Sequence, residues 1–229
     1  MTPDVSLVLA GLQEERRSVA PLASWQLRPA AVVTPGADSI IVKFDGEGFN
    51  GSATVNVPAV SLIGYAAFGA RVMIMTVPPE GNYVVADLSG ATAEYAFSDT
   101  IDTTTSTSYI STDASALLVG TSFIVPASGK VKIEWGGEIA NSAGSFTLVS
   151  YQIAEGLTVD AGGSVVSAGD SDTARNDGAS VVRSTNFVIF DAADYSIIPG
   201  TALNVALYHR VGAGTGTVSR RRVSAVPVR

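Results

Sequence analysis

Apolar and polar residues alternate with a period of two through most of the chain, in short runs separated by turn residues. Between residues 27 and 97 these runs are rich in β-branched residues and lie at 31–33, 39–44, 53–57, 71–77 and 83–88. The segments between them supply Gly, Asn and Pro, which tight turns require. Five short strands so close together predict a small barrel, and an OB-like Greek key is the arrangement that we expect.

The same period returns after residue 108 and continues to the end of the chain. The runs that indicate strands lie at about 117–125, 130–139, 145–153, 163–168, 181–190, 202–210 and 217–226. A short opening strand at 108–112 brings the number to eight, which is the strand number of a jelly-roll sandwich. Paired glycines such as Gly136–Gly137 fall where bulges and tight turns are needed, so we assign them no ligand.

The N-terminal segment departs from this pattern, because Val5, Leu9 and Leu12 recur at helical spacing. A helix this short must pack against its own domain or against copies of itself to be stable. Residues 98–108 are rich in Ser and Thr with little to bury, so they predict an extended linker that a protease cuts first. The predicted organisation is all-β: a short N-terminal helix and lead-in at 1–26, an OB-like barrel at 27–97, the linker at 98–108, and an eight-stranded jelly roll at 109–229.

Composition and charge narrow the functional classes. The chain has 14 Lys and Arg against 21 Asp and Glu, a net charge of −7, and 46% apolar residues. This apolar share can bury a sizeable core, which excludes a disordered chain. We expect no nucleic-acid partner, because the one basic cluster, Arg220–Arg222, alternates along a strand and places at most two side chains on one face. We also expect no membrane insertion, because polar residues interrupt the longest uncharged stretch, Gly48–Ala70.

The short motifs point to no reaction. Gly46–Gly51 matches G-x-G-x-x-G, but a strand follows it where a dinucleotide site needs a helix N-terminus. His209 is the only histidine and there is no cysteine, which excludes ordinary zinc sites. Glu134 and Glu138 are about 13 Å apart along one predicted strand, too far for a glycosidase pair. The oxygen-rich loop Asp170–Gly178 leaves calcium or simple Asx turns open. We predict no enzyme, cofactor or metal.

Several strings of residues carry a resemblance to a known family. They lie at 69–75, 77–85, 119–123, 126–131, 175–178 and 209–221. Together they resemble minor tail and other virion proteins of actinobacterial phages and prophages. The resemblance implies a non-enzymatic component of a tailed-phage virion, assembled in the cytoplasm of the bacterial host. It also implies a homotrimer whose C-terminal domain is similar to the jelly rolls of C1q and tumour necrosis factor.

In this interpretation the N-terminal part anchors the protein to other virion proteins, and the trimeric jelly roll is displayed for contact with the host or a partner. The residues expected at the trimer interface or the tip are Val5, Leu9, Leu12, Tyr208, His209, Arg210, Arg220 and Arg222. Three copies of His209 near the three-fold axis would make the trimer sensitive to acid. Two alternatives stay open: a capsid decoration, head fibre or collar protein, and a sandwich that binds or cleaves carbohydrate. A host cell-surface glycan is a further candidate partner.

Overall fold

The structure is a computed structural model that describes residues 25–45, 56–112 and 117–228. Within these ranges the chain forms fifteen strands and one turn of 3₁₀ helix, Ala192–Tyr195, so the predicted all-β class is confirmed. No helix in the described ranges is long and apolar enough to cross a membrane. The predicted N-terminal helix with Val5, Leu9 and Leu12 lies outside the described residues, as does the Gly46–Gly51 motif.

The first five strands close into a barrel, which confirms the predicted five-stranded domain. They are β1 (Gln26–Thr34), β2 (Ser39–Phe44), β3 (Val57–Ser61), β4 (Arg71–Val77) and β5 (Gly81–Asp87). Their order around the barrel is β1-β2-β3-β5-β4, with β4 pairing again with β1 and with β3 parallel to β5. Alternate residues such as Val32, Val42 and Ile74 point inwards and form a separate hydrophobic core.

The remaining strands form two sheets that pack face to face. The sheet that we call the β14 sheet contains β11 (Ser164–Val166), β10 (Thr147–Glu155), β14 (Ala202–Val211) and β8 (Gly120–Ile124), with β12 (Ala174–Asn176) also paired to β10. The sheet that we call the β15 sheet contains β13 (Val182–Asp191), β9 (Lys130–Asn141), β15 (Gly216–Pro227) and β6 (Glu94–Ser98), with β7 (Asp102–Thr104) also paired to β15. Trp135 lies between the sheets, 4.4 Å from the ring of Tyr151, and donates to the carbonyl of Val149 at 3.1 Å.

The connectivity of these sheets is that of a jelly roll. The ten strands β6 to β15 occupy eight positions, because β6 and β7 share one position and β11 and β12 share another. Adjacent strands in each sheet then follow the double Greek-key order, and the first position pairs with the last. The predicted eight-stranded sandwich is therefore confirmed, and the strands predicted from about 117 onwards agree with β8 to β11 and β13 to β15 within a few residues.

The segment predicted as a linker belongs to the jelly roll. β6 and β7 both pair with β15, with Phe97 opposite Arg222 and Thr103 opposite Thr217. Asp102 and Thr104 are buried, so the prediction of an extended linker at 98–108 is wrong. The prediction relied on the low hydrophobicity of this segment, but a polar strand can bury a charged side chain that pairs with a residue on a distant strand. The opening strand predicted at 108–112 is reduced to one bridge, between Ile110 and His209.

The barrel meets the jelly roll at one of its two ends. The amide of Ala67 donates to the carbonyl of Ala127 at 2.7 Å, and the amide of Ala127 donates to Asp87 at 2.9 Å. Ala67 precedes the start of β4, whereas Gln26 pairs with Thr76 near the end of that strand. The chain therefore enters the barrel at the end that lies away from the jelly roll.

Candidate functional site

The residues predicted at a trimer interface lie in three different environments. Tyr208 and Arg210 are on the outer face of the β14 sheet, and His209 points between the two sheets. Arg220 and Arg222 are on the outer face of the β15 sheet, on the other side of the sandwich. The structure therefore brings these five residues into no single site.

His209 belongs to a buried cluster that joins the first and last strand positions of the jelly roll. Its Nε2 lies 3.6 Å from Oδ2 of Asp102, and the guanidinium of Arg221 donates to the same oxygen at 2.9 Å. Arg221 also donates to the carbonyl of Leu117 at 2.8 Å. Burial lowers the pKa of Arg221, and the charge of Asp102 opposes that shift. The predicted position of His209 at a three-fold axis is wrong, because its imidazole is covered by its own chain.

The outer face of the β14 sheet is sealed by the chain's own loops. The hydroxyl of Ser150 contacts the carbonyls of Gly169 and Asp172 at 3.1 and 3.0 Å. The amide of Asn204 approaches four carbonyl oxygens between residues 154 and 161, all within 3.3 Å. Outward-facing residues such as Leu148 are buried beneath this cover, so little of this face remains free for a partner.

Tyr208 and Arg210 help to hold that cover in place. Tyr208 donates a hydrogen bond to Asp160, and burial together with this bond raises the pKa of Tyr208 to about 12. Arg210 donates to Asp170 at 3.0 Å, and Tyr109 donates to the same carboxylate at 2.8 Å. These hydrogen bonds, that of Arg210 first, lower the pKa of Asp170. Both predicted interface residues thus have partners within their own chain.

The oxygen-rich loop at 170–178 uses two of its three carboxylates in ion pairs. Asp170 pairs with Arg210, and Asp177 accepts from Arg175 at 2.6 Å. Asn176 caps the turn by accepting from the amide of Gly178 at 3.1 Å, which is the Asx geometry that the sequence left open. In the described ranges no three His, Cys, Asp or Glu side chains converge on one point.

The outer face of the β15 sheet, in contrast, is open. Its exposed apolar side chains are Tyr95, Phe97, Phe187, Ile189 and Val226. We call the sheet surface that carries these five side chains the aromatic face. Tyr95 and Phe187 lie in one row across the sheet, with Ser224 and Glu134 between them. Ser224 pairs with Tyr95 on one side and with Glu134 on the other, and Glu134 pairs with Phe187.

Most charged side chains on the aromatic face are paired with one another. Lys132 contacts Glu134 at 2.9 Å and lies 5.0 Å from the centre of the Phe187 ring. Arg183 and Arg220 both donate to Glu138, at 3.0 and 3.1 Å. Glu134 and Glu138 thus have basic partners, and they lie on the same strand as the sequence indicated.

A bulge in β15 shapes one end of the aromatic face. Ser219 pairs with Glu138 and Arg222 with Gly136, so β15 carries one extra residue. Arg220 takes up the bulge with a φ of 46°, and the phase of the strand changes there. Arg221 consequently points inwards, whereas Arg220 and Arg222 point outwards. The sequence contains the signal: Val218 and Val223 are both buried although they are five positions apart, which regular alternation forbids.

Beside this bulge the aromatic face contains a cavity of about 250 Å³, which we call the arginine pocket. It is lined by Phe97, Asp99, Gly137, Arg183, Arg220 and Arg222. Gly137 keeps the backbones close, since a Cβ there would lie 2.7 Å from the carbonyl oxygen of Ser219. The role in a bulge that the sequence indicated for Gly136 and Gly137 is thus confirmed.

Comparison with known proteins adds little beyond the fold. No protein-family model matches the chain, and no curated protein matches it. The chain is similar to the T13 IBDV viral particle (TM-score 0.40, 10% identity, 91% of this chain and 51% of that one). It is also similar to the VP2 subviral particle of infectious bursal disease virus (0.36, 10%, 90% and 56%). A third match is BuGH86 in complex with neoagarooctaose (0.29, 10%, 90% and 28%). The chain spans about half the length of the viral chains, and similarity at this level does not extend to function.

Proposed function

We propose that the protein is a structural component of a virion, and that it assembles with copies of itself through the aromatic face. The observation that carries the proposal is the contrast between the two sides of the sandwich. One side is sealed by loops, whereas the other exposes five large apolar side chains, Phe187 and Tyr95 among them, on an open sheet face. A sheet face with several exposed large apolar side chains is typical of an interaction site, and covering them releases the water that they order.

The assembly that we propose is a homotrimer. In a three-fold ring each copy presents two different surfaces, one to each neighbour. The aromatic face supplies one of these surfaces, with Arg220 and Arg222 at its end. Ion pairs within the face, such as Lys132 with Glu134, leave few unpaired charges to be desolvated when a neighbour covers it.

The N-terminal part is proposed to anchor the protein to other virion proteins. The path of the chain supports this division, since residue 25 enters the barrel at the end away from the jelly roll. The barrel order β1-β2-β3-β5-β4 supports an OB-like type. A minor tail, tail-tip or fibre-type position is the one that we propose, and a capsid decoration, head fibre or collar protein is the alternative.

A role without bond-breaking chemistry is part of the same proposal. Its support is that the chemically versatile side chains are engaged in structural pairs. His209 faces Asp102 and Arg221 in the interior, and Glu134 and Glu138 are bound by basic neighbours.

The oligomer is tested by light scattering on the full-length chain and two matched variants. Phe187→Asp changes the aromatic face, and Leu157→Asp changes a loop residue of similar exposure, 61% against 58%. The wild type and Leu157→Asp should have about three times the chain mass of 23.5 kDa, and Phe187→Asp should be monomeric. A wild-type monomer at all concentrations would refute the trimer, and a trimeric Phe187→Asp would refute the surface.

The virion assignment needs a separate measurement. Gold-labelled antibodies against the jelly roll should bind purified particles of the phage or prophage that encodes the chain. Labelling at the tail supports the proposed position, and labelling at the capsid or collar supports the alternative. If the protein stays in the lysate and purified particles lack it, the virion proposal is wrong.

A further inference from the structure

The arginine pocket has a feature that self-association does not require, namely three guanidinium groups around one small cavity. Arg183 comes from β13, and Arg220 and Arg222 come from β15 on either side of the buried Arg221. The bulge is what brings them together, because without it Arg220 would point into the core. Phe97 enters from β6, directly opposite Arg222 in the register, and forms an apolar wall.

The charges around this cavity do not balance. Glu138 accepts from Arg183 and Arg220, and Asp99 lies 4.0 Å from Arg220. The side chain of Arg222 has no hydrogen bond or ion pair with any residue in the described ranges, and its Nε is shielded from solvent without an acceptor. An N–H group that is shielded and unpaired costs free energy. The terminal nitrogens of the Arg222 guanidinium are not buried in this way, and an acceptor that enters the pocket can bind them and neutralise the excess positive charge.

We propose that the arginine pocket binds one anionic group, a carboxylate or a phosphate, carried on a sugar-sized ring. The guanidinium of Arg222 donates two parallel hydrogen bonds to the anion, a geometry that planar carboxylates and phosphates match. The ring packs against Phe97. All the lining residues belong to one chain, so a monomer contains the complete site, whatever the place of the protein in a virion.

The size of the pocket limits the ligand. A cavity of about 250 Å³ is smaller than the usual drug-sized site of about 300–1,000 Å³. It therefore accommodates a single ring with its anionic substituent, while the rest of a longer glycan stays outside. A nucleic-acid backbone fits poorly, because one unpaired arginine beside Asp99 and Glu138 offers no extended basic track.

The experiment is calorimetric titration of the full-length chain with three probes: glucuronate, glucose 6-phosphate and neutral glucose. Binding of either anion, with at least tenfold weaker binding of glucose, is the expected result. Binding of glucuronate alone identifies a carboxylate site, and binding of glucose 6-phosphate alone identifies a phosphate site. Absence of binding by both anions, or equal binding of glucose, overturns the proposal.

Matched variants locate the site. Arg222→Gln should weaken binding at least tenfold, whereas Arg175→Gln, an exposed arginine on the opposite side of the sandwich, should leave it unchanged. Phe97→Ala should weaken binding of the sugar anions and leave binding of inorganic phosphate unchanged. The same titration on Phe187→Asp separates this proposal from the trimer, since a monomer keeps the pocket. If Arg222→Gln binds as the wild type does, the assigned site is wrong.

Discussion

Replacing Arg221 with methionine is the most direct test of how the two ends of the jelly roll are joined. Arg221 and Asp102 are each about 1% exposed and their charged atoms are 2.9 Å apart. Methionine keeps much of the volume but removes the charge, which leaves the carboxylate of Asp102 buried without its strongest partner. Breaking a buried pair in this way costs about 3–5 kcal/mol. Since domains are stable by about 5–15 kcal/mol, about a fifth or more of the free energy of unfolding should be lost.

Urea unfolding followed by the fluorescence of Trp135 measures this loss, because Trp135 lies in the core of the jelly roll. With a slope of about 2 kcal/mol per molar urea, the midpoint for Arg221→Met should fall by about 2 M. Arg183→Met is the control: its pair with Glu138 is exposed, so its loss should cost less than about 1 kcal/mol.

Two further measurements complete this test. The double variant Asp102→Leu with Arg221→Met should recover most of the lost stability, because an apolar pair leaves no buried charge. Limited proteolysis should leave residues 98–108 intact in the wild type and cut them in Arg221→Met, since β7 is then less firmly held. If Arg221→Met loses no more stability than Arg183→Met, the buried pair does not exist in solution and the assignment of β7 is wrong.

Two other substitutions test particular contacts. Gly136→Ala should cost about 2–3 kcal/mol in urea unfolding, because its Cβ would clash with the backbone of Ser184. Gly144→Ala, which meets nothing within 4 Å, should cost about 1 kcal/mol, and equal costs would contradict the close approach of β13 to Gly136. Because the pKa of Tyr208 is raised from 10.0 to about 12, its contribution to stability is complete below pH 10 and is lost as the pH rises to 12. The midpoint temperature of thermal unfolding should therefore fall less steeply between pH 8 and 12 for Tyr208→Phe than for the wild type. An unchanged slope would contradict the raised pKa.

The sequence predicted the long strands of both domains because apolar and polar residues alternate along much of their length. In β2, for example, Ile40, Val42 and Phe44 are buried and the residues between them are not. It failed for β7 and β12, which are three residues long and largely polar. Such strands depend on partners far along the chain, and a local pattern contains no information about those partners.

Individual site residues were harder to place than strands. The alternation of Tyr208, His209 and Arg210 was predicted, but the depth of His209 was not. Its burial depends on Asp102, which appeared to belong to a linker. The arginine pocket was missed for a related reason: Phe97 and Arg222 meet only through the register of β6 with β15, and the odd spacing of the buried valines was the one local sign of the bulge.

The pairing of the first strand position of the jelly roll with the last also determines when this protein can fold during its synthesis. Asp102 and Arg221 are 119 residues apart, so β6 and β7 leave the ribosome long before β15 exists. The barrel strands lie between Gln26 and Asp87 and are complete early. We therefore expect the barrel to fold first and the jelly roll to close only once β15 has been made, since domains form as units and long-range pairings come last. Chains that stop before β15 would lack a closed jelly roll, and assembly would thereby be restricted to copies that contain this strand.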